Sequence, residues 1–400
     1  MSKAVPKGWT EDLLTNLVAA QRGTEPGSET YCGPDEGVRF LRIGDLSGKT
    51  DNPVFAKANG LLFVNPDDIL FALDGSPGLV AKGYSGAISS GIRLIKPKNQ
   101  KVKKDFLFYA LQSPKVQSIV KAYTTGSTIL HAGRSLHFIE ILLPPLPEQR
   151  KIAAILLSVD NAIEKTRAVI EQTKVLKKGL MRELLTRGIP GRHKKFKKTP
   201  IGVIPEEWEV VRLEKVATVE RGKFQHRPRN EPRFYGGEYP FVQTGEVTNS
   251  GGRVKNYSQT LNDEGLAISK LFPKGTILIT IAANIGETAI TEFDLAIPDS
   301  LIGIITKDSL DNRFLEYYLR TRKFHFNKLA TESAQKNINL ETLKPYQVPV
   351  PPRKEQKAIA DFLEGIEGRE TLEKNLLDNL NIVKSALMQI LLTGEVRVKI

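Results

Sequence analysis

The sequence predicts an α+β protein in which two globular α/β modules alternate with two long α-helices. The helices are expected to run antiparallel as a coiled coil, and the two halves to form an internal pseudo-twofold repeat. Three observations lead to this prediction: a segment occurs twice, each copy carries a heptad pattern, and strand-like runs precede each copy. The predicted parts are a first module at 1–147, a first helix at 148–190, a linker with a second module at 191–354, and a second helix at 355–400.

The repeated segment begins at PPLPEQRKIAAIL (144–156) and again at PPRKEQKAIADFL (351–363). At a constant offset of 207 the two copies align without a gap over 43 positions, and thirteen of these positions are identical. A unit of 207 residues is much longer than a solenoid repeat. The pattern therefore indicates that a whole module with its helix has been duplicated.

Each copy has the periodicity of a coiled-coil helix. Over 152–184 and again over 359–391, seam positions recur in alternating steps of four and three, which is a heptad pattern. Both seams are apolar at their ends and polar in the middle, and Lys177 and Lys384 occupy the same step. Two seams of equal length in one chain most simply pair with each other. The predicted helices are Glu148–Thr186 and Glu355–Thr393.

The modules share a frame but differ in detail. Runs of β-branched residues bounded by Pro and Gly, which are typical of strands, occur in FPKGTILITIAANIGETAI (272–290). The first module has a looser counterpart, VNPDDILFALDGSPGLVAKG (64–83). The basic, proline-punctuated segment 191–208 reads as a connector. The matched positions are Trp9 with Trp208, Arg22-Gly23 with Arg221-Gly222, and Gly44-Asp45 with Gly245-Glu246.

The overall charge points to a polyanionic partner. The chain has 58 Lys and Arg against 45 Asp and Glu, a formal net charge of +13, and nucleic acid is the leading candidate for such a balance. The single cysteine, Cys32, excludes an intrachain disulfide and favours a reducing compartment. No apolar stretch reaches the roughly 18 residues of a membrane span, and the first residues lack a signal-peptide core. We therefore expect a cytoplasmic protein.

Motifs for catalysis are incomplete in this sequence. GDLSGKT (44–50) is one residue too short between its glycines for a phosphate-binding loop. The acid-x-Lys sequence at 355–357 lies at a repeated helix entrance, where a structural role is the better interpretation. No Asp/Asn-Pro-Pro-aromatic loop of an adenine methyltransferase is present. One cysteine and five scattered histidines offer no zinc spacing, so we expect neither catalytic nor metal-binding residues.

Several stretches together resemble the specificity subunit of type I restriction-modification enzymes. They are the twice-used PP..EQ…IA entrance, SAQKNINLETLKPYQVPVPPRKEQ (333–356), and RGKFQHRPRNEPRFYGGEYPFVQTGEV (221–247), which is similar to the start of that family's target recognition domain. The resemblance covers essentially the whole chain. In the first module, GSTILHAGRSLHFIEILLPPLPEQ (126–149) lacks the Gln-Lys-Asn-Ile-Asn run of the second.

The resemblance implies a subunit that reads DNA and has no catalysis of its own. Each target recognition domain would read one half of a split, asymmetric site in double-stranded DNA. Two methyltransferase subunits would bring S-adenosylmethionine, and motor-nuclease subunits would bring ATP and Mg²⁺, so that the complex methylates adenine or cleaves DNA. No cofactor is expected in this chain. The alternative is a coiled-coil scaffold or adaptor that does not read DNA, against which the charge and the basic loops argue.

Basic and amide side chains crowd one loop of the second module, and a comparable region exists in the first. Such loops can order on phosphates, and Arg or Gln can reach purine edges in the major groove. A solvated surface loop is the alternative. The candidate DNA-binding residues are Arg22, Thr24, Arg39 and Arg42 in the first module, and Arg221, Lys223, Gln225, His226, Arg227, Arg229, Arg233 and Gln243 in the second.

A further polar cluster of the second module is formed by Gln335, Lys336, Asn337 and Asn339. Asn and Gln suit paired hydrogen bonds to adenine, but the same residues could cap the turn before Leu340. Both interpretations stay open on the sequence alone.

An acidic and an amide residue open each repeated helix. Acidic groups complement the helix dipole at this position. Docking of a partner subunit is the alternative role. The residues concerned are Glu148, Gln149, Glu355 and Gln356.

Overall fold

A computed structural model describes residues 5–48, 52–57, 59–224, 226, 230–282, 284–331 and 337–399. The chain divides into two compact units. The first unit is Met1–Ala168 together with Asn375–Ile400, and the second is Val169–Lys374. The C-terminal end of the second long helix thus belongs with the first module, although the two lie at opposite ends of the sequence.

The first unit contains eleven strands among its described residues. Its central sheet has four strands in the order β2–β10–β7–β8, and a second sheet has five strands in the order β3–β5–β4–β9–β6. A further pair consists of β1 and β11. The bounds are β1 (Thr10–Leu13), α1 (Leu14–Leu17), β2 (Val18–Arg22), β3 (Tyr31–Cys32), β4 (Val38–Leu41), α2 (Ile43–Leu46), β5 (Val54–Ala56), β6 (Phe63–Val64), β7 (Ile69–Ala72), β8 (Val80–Ala81), β9 (Gly86–Ile88), β10 (Ile92–Pro97), α3 (Lys104–Gln112), α4 (Pro114–Ala122) and β11 (Glu140–Leu143).

The two long helices follow the modules. They begin two residues before the predicted positions, because the preceding prolines fix the backbone dihedral at a helix entrance. Gly188 and Gly394 follow the helix ends with φ of 77° and 71°, a left-handed conformation that glycine adopts without strain. The bounds are α5 (Leu146–Arg187) and α12 (Arg353–Leu392).

The second unit repeats the plan with an additional hairpin and a fifth strand, β17, in its central sheet. Its central sheet has the order β15–β23–β20–β21–β17, a second sheet has the order β18–β16–β22–β19, and β14 pairs with β24. The bounds are β12 (Phe196–Thr199), β13 (Gly202–Pro205), β14 (Glu209–Arg212), α6 (Leu213–Val216), β15 (Ala217–Arg221), β16 (Tyr235–Phe241), α7 (Thr244–Asn249), β17 (Arg253–Val254), β18 (Gln259–Leu261), α8 (Asp263–Ala267), β19 (Leu271–Phe272), β20 (Ile277–Thr280), β21 (Thr288–Thr291), β22 (Leu295–Ala296), β23 (Leu301–Thr306), α9 (Asn312–Thr321), α10 (Lys323–Thr331), α11 (Leu340–Leu343) and β24 (Gln347–Val350).

The additional hairpin consists of β12 and β13 and lies inside the predicted connector. The prolines and lysines of this segment indicate a connector, and the structure shows that part of the connector is paired. Pro205 ends β13, and Thr199 pairs with Gly202 across the turn. These positions tolerate proline and glycine because they lie at strand ends.

The heptad seam is confirmed by burial within each unit. In the first unit, Ile152 and Leu156 of α5 share a core with Met388 and Leu391 of α12. In the second unit, the residues are Met181 and Leu184 of α5 with Ile359 and Leu363 of α12. Residues early in one helix meet residues late in the other in both units, so the helix segments pack antiparallel.

Candidate DNA interface

One end of the central sheet carries an arginine in each unit. In the first unit, Arg22 ends β2 and lies opposite Arg93 of β10. In the second unit, Arg221 ends β15 and lies opposite Ile302 of β23. In the first unit β7 pairs with β10 and ends at the same edge as Arg22, and in the second unit β20 pairs with β23 and ends at the same edge as Arg221. The loops that follow β7 and β20 therefore lie beside these arginines. We refer to this edge as the arginine end of the sheet.

Both arginines have the same local role. The Nε of Arg22 donates to the backbone carbonyl of Ser90 at 3.0 Å, and the Nε of Arg221 donates to that of Asp299 at 2.5 Å. The glycine after each arginine lies so close to neighbouring carbonyls that a Cβ atom would overlap with them. The Arg22 side chain is still 64% exposed. Each arginine therefore fixes a loop while its outer nitrogens reach the surface.

The remaining candidates of the first module are more engaged in the fold. Thr24 donates from its hydroxyl to the carbonyl of Gly60 at 3.0 Å. Arg39 forms a 2.5 Å ion pair with Asp45, whose side chain is 4% exposed, and also donates to two backbone carbonyls. Arg42 is the N-cap of α2, where its backbone amide donates to Asp45 at 2.7 Å. Arg39 is the DNA-contact candidate that the structure supports least, because the fold already uses its guanidinium.

The second-module loop is only partly described. Arg221 and Lys223 are exposed; Arg233 lies over the Phe234 ring at 4.5 Å, and the His226 ring lies 4.8 Å from the same ring. These aromatic contacts hold the base of the loop. Gln225, Arg227 and Arg229 lie outside the described residues, so their predicted DNA contacts stay predictions.

The polar candidates of the second module include two helix caps. Gln243 is the N-cap of α7, and its amide nitrogen donates to Gln259 at 2.5 Å. Asn339 is the N-cap of α11 and accepts from the amide of Thr342 at 2.9 Å. The capping interpretation is thus confirmed for Asn339, while Asn337 is half-buried. Gln335 and Lys336 lie outside the described residues.

The helix-opening glutamates anchor each module to its long helix. In the first unit, Glu148 accepts from the indole nitrogen of Trp9 at 3.1 Å and from Arg397 at 2.8 Å. In the second unit, Glu355 accepts from the indole nitrogen of Trp208 at 3.2 Å and forms a 2.7 Å contact with His193. The hydrogen bond from Arg397 lowers the pKa of Glu148, although burial opposes this shift.

The glutamines make a second matched set of bonds. Gln149 accepts from the amide of Lys103 at 2.8 Å, and Gln356 accepts from that of Asp311 at 2.7 Å. Both amide nitrogens donate to backbone carbonyls. All four Glu and Gln residues are at most 1% exposed. Their positions do not support the docking prediction, because a buried side chain cannot contact a partner's surface directly; they hold module and helix together.

The seam lysines form equivalent, half-buried networks in the two units. Lys384 pairs with Asp160 at 2.7 Å, and Asp160 accepts from the hydroxyl of Tyr109 at 2.8 Å. In the second unit, Lys177 pairs with Glu370 at 2.6 Å and with Glu367 at 3.7 Å. Burial raises the pKa of Tyr109, and the Asp160 carboxylate adds to the effect. A polar group in an apolar seam fixes the register of the two helices.

Sequence reasoning missed one cluster at the arginine end of the first unit. Asp74, in the loop after β7, forms a 3.1 Å ion pair with Arg93 and a 2.8 Å contact with His131. It also lies 4.0 Å from Arg22. The sequence offers little signal for this cluster, because Asp74 and His131 lie in segments 57 residues apart.

A protein-family comparison decides the family. The model described as the type I restriction modification DNA specificity domain matches 6–172 and 205–381. The chain belongs to the type I restriction-modification specificity subunits. The two matches fall on the two copies of the duplicated plan, so the resemblance noted in the sequence is confirmed.

Relatives of this specificity subunit match over nearly its full length. The type I restriction enzyme MjaVIII specificity subunit of Methanocaldococcus jannaschii is 31% identical, covering 99% of this chain and 94% of its own. The EcoBI specificity subunit of Escherichia coli is 23% identical over 97% of this chain and 85% of its own. The match thus extends through both modules and both long helices.

Solved structures share the fold. The S subunit of the type I system of M. genitalium superposes with a TM-score of 0.61 at 15% identity, over 98% of this chain and 97% of its own. A structure from a study of type I complex assembly gives a TM-score of 0.61 at 21% identity, over 98% of this chain and 100% of its own. The predicted α+β class with a repeated module and long helices is confirmed.

Two searches of the described residues were negative. No described helix combines the length and the apolar character that crossing a membrane requires. Within the same part of the chain, His, Cys, Asp and Glu form no group of three or more that could hold a metal ion.

Proposed function

We propose that this specificity subunit reads a bipartite, asymmetric site in double-stranded DNA with a non-specific spacer, one half-site per unit. The observation that carries the proposal is the duplicated arginine end of the sheet. Arg22 and Arg221 are held alike by backbone carbonyls, while the side chains opposite them, Arg93 and Ile302, are chemically different. Arg93 and Ile302 are buried, so the difference between the units begins beneath the surface and extends to the loops, whose sequences differ. A common support in modules of different sequence suits two readers of different DNA sequences.

Partner subunits would supply the chemistry. We infer that two methyltransferase subunits bring S-adenosylmethionine for adenine methylation, and that motor-nuclease subunits bring ATP and Mg²⁺ for cleavage. The chain itself would position them on DNA. The single cysteine suits a reducing compartment such as the cytoplasm, where this complex would act.

The outer faces of the long helices offer a docking surface for these partners. Val175 and Leu176 of α5 are 73% and 56% exposed, and Ile382 and Val383 of α12 are 66% and 46% exposed. The two pairs occupy equivalent positions, 207 residues apart. Exposed apolar side chains at duplicated positions suit two copies of one partner. We place methyltransferase docking on these apolar pairs rather than on the buried Glu-Gln pairs.

The docking assignment can be tested by co-purification. Replacing Val175 and Leu176 by Glu should abolish binding of one methyltransferase copy, because burying two charges costs more than the apolar contact gains. Gln172→Glu is the control, since it adds a charge at another exposed position of α5. Unchanged stoichiometry of the complex after the double substitution would contradict this docking surface.

The reading function can be tested by exchanging a module. Residues 200–345 would be replaced by the corresponding region of another specificity subunit, and the methylated motif determined by sequencing modified bases. We expect one half-site to change and the other to stay as it was. A motif in which both halves change together would be incompatible with one reader per unit.

A further inference from the structure

An exposed hairpin loop lies at the arginine end of the first unit. The backbone amide of Thr125 donates to the carbonyl of His131 at 2.9 Å, and the amide of His131 donates to that of Thr125 at 2.8 Å. Gly126 takes φ of 100° and allows the chain to turn. Between these bonds, every residue of 126–130 is exposed. The loop is therefore closed at its base and open to solvent at its tip.

The loop is attached to the end of β7. The amide of Gly75 donates to the carbonyl of Leu130 at 2.8 Å, and the amide of Ala132 donates to that of Leu73 at 2.7 Å. These bonds bracket Asp74, which follows the last residue of β7 by two positions. The loop base thus shares the arginine end with Arg22.

A side-chain contact completes the attachment. The Nδ1 of His131 lies 2.8 Å from a carboxylate oxygen of Asp74. Because an ionised carboxylate can only accept, Nδ1 carries the proton. Asp74 is 13% exposed and is balanced by Arg93, at 3.1 Å, while the imidazole is 56% exposed. Asp74 therefore holds His131, Arg93 and the nearby Arg22 in one arrangement.

The tip of the loop has the chemistry of a base reader. Ser127 and Thr128 offer hydroxyls that donate or accept at base edges, and Ile129 and Leu130 offer apolar contact of the kind that thymine methyl groups accept. Ile129 is 57% exposed and Leu130 is 39% exposed. The exposed parts of these apolar side chains gain nothing from the fold, and contact with a base would remove them from water.

We propose that residues 124–131 form a DNA-reading loop of the first unit and that Asp74 is the positioning residue that holds it against Arg22. This inference rests on the proposed reading function and deepens it, since it names the segment that discriminates bases. The tip contacts base edges in the half-site of the first unit, and Arg22 contacts the adjacent sugar-phosphate backbone.

The second unit cannot use the same attachment. At the positions equivalent to Asp74 and Arg93 it has Ala282 and Ile302, as the strand registers of the two central sheets show. The acid–histidine attachment is therefore a property of the first unit. A change at Asp74 should affect one half-site only.

The experiment uses the full chain assembled with its methyltransferase subunits. The substrates are two DNA libraries, each with one half-site randomised, and methylated products are sequenced. The variants are Ser127→Ala with Thr128→Ala, and Asp74→Asn. Gln100→Ala is the matched control, because this exposed residue follows β10 at the opposite end of the sheet. Thermal unfolding of each variant is measured alongside.

We expect the Ser127/Thr128 double variant to lose roughly ten- to hundredfold discrimination at one or two positions of one half-site. Asp74→Asn should weaken discrimination at the same positions, and Gln100→Ala should leave the motif unchanged. A double variant with the wild-type motif overturns the proposal, as does an equal change in both half-sites. If Asp74→Asn unfolds the first unit, the Ser127/Thr128 double variant tests the proposal by itself, because both of its positions are exposed. A wild-type complex without sequence preference would instead refute the reading function itself.

Discussion

Removing the charge of Glu355 tests whether the helix entrance is the structural joint of the second unit. Glu355 is fully buried and accepts from Trp208 at 3.2 Å and from the Ile189 amide at 3.3 Å, and it contacts His193 at 2.7 Å. Glu355→Gln keeps the shape of the side chain, but it replaces one acceptor oxygen by an NH₂ group that faces hydrogen-bond donors. Breaking a buried charged arrangement of this kind costs about 3–5 kcal/mol. At about 2–4 °C per kcal/mol for a domain of this size, the second unit should melt about 6–20 °C lower.

Differential scanning calorimetry is the assay, because two compact units can unfold in separate transitions. Only the transition of the second unit should move. Glu183→Gln is the control, since it makes the same substitution at an exposed position of α5. A Glu355→Gln shift no larger than that of the control would refute the reasoning, and would mean that the donors find water or other acceptors.

Three further predictions concern other parts of the molecule. Because Arg397 lowers the pKa of Glu148, the charged Glu148 stabilises the first unit fully at pH values above its unfolded pKa of about 4.5. This stabilisation is lost as the pH falls through the lower pKa of the folded state. Glu148→Gln should therefore reduce the fall in melting temperature at acid pH. Gly222→Ala should destabilise the second unit and weaken DNA binding, because a Cβ atom would overlap with backbone carbonyls, whereas Gly245→Ala meets nothing within 4 Å and should be neutral. Four residues inserted near Lys177 lengthen α5 by about 6 Å, so the methylated motif should keep its half-sites and have a spacer longer by one or two base pairs. An unchanged spacer with activity retained would show that the helix does not set this distance.

The long helices were the most predictable part of the fold, because their pattern is local. The heptad steps and the Pro-Pro entrance gave the positions of α5 and α12 to within two residues. The placement of 375–400 with the first module was not predictable in this way. It depends on contacts such as Arg397 with Glu148, which are 249 residues apart, and no local pattern reports a partner at that distance.

The surroundings of the candidate site residues were harder to predict for the same reason. The sequence makes Arg22 and Arg39 candidates because both lie in the region of the first module comparable to the basic loop of the second, but it does not reveal that Arg39 pairs with Asp45. Asp74 and His131 were missed because each is ordinary in its own segment, and the fold alone brings them to 2.8 Å. Charge identifies the partner class, whereas the choice of contacting residue depends on which charges the fold has already neutralised.

The distribution of matched and unmatched residues explains how one plan can serve two readers. The Trp-Glu-Gln contacts and the bonds from Arg22 and Arg221 recur in both units, and each ends on a buried group or a backbone carbonyl. Such partners exist whatever the neighbouring side chains are, so these contacts survive when the surface changes. Asp74 and its counterpart Ala282 lie one step further out, in the loops that follow β7 and β20. Asp74 pairs with Arg93 of the sheet, whereas the second unit has Ala282 and Ile302 at the equivalent positions. The loop residue and the sheet residue beneath it therefore differ together, so recognition can diverge between the two units while the matched contacts stay the same.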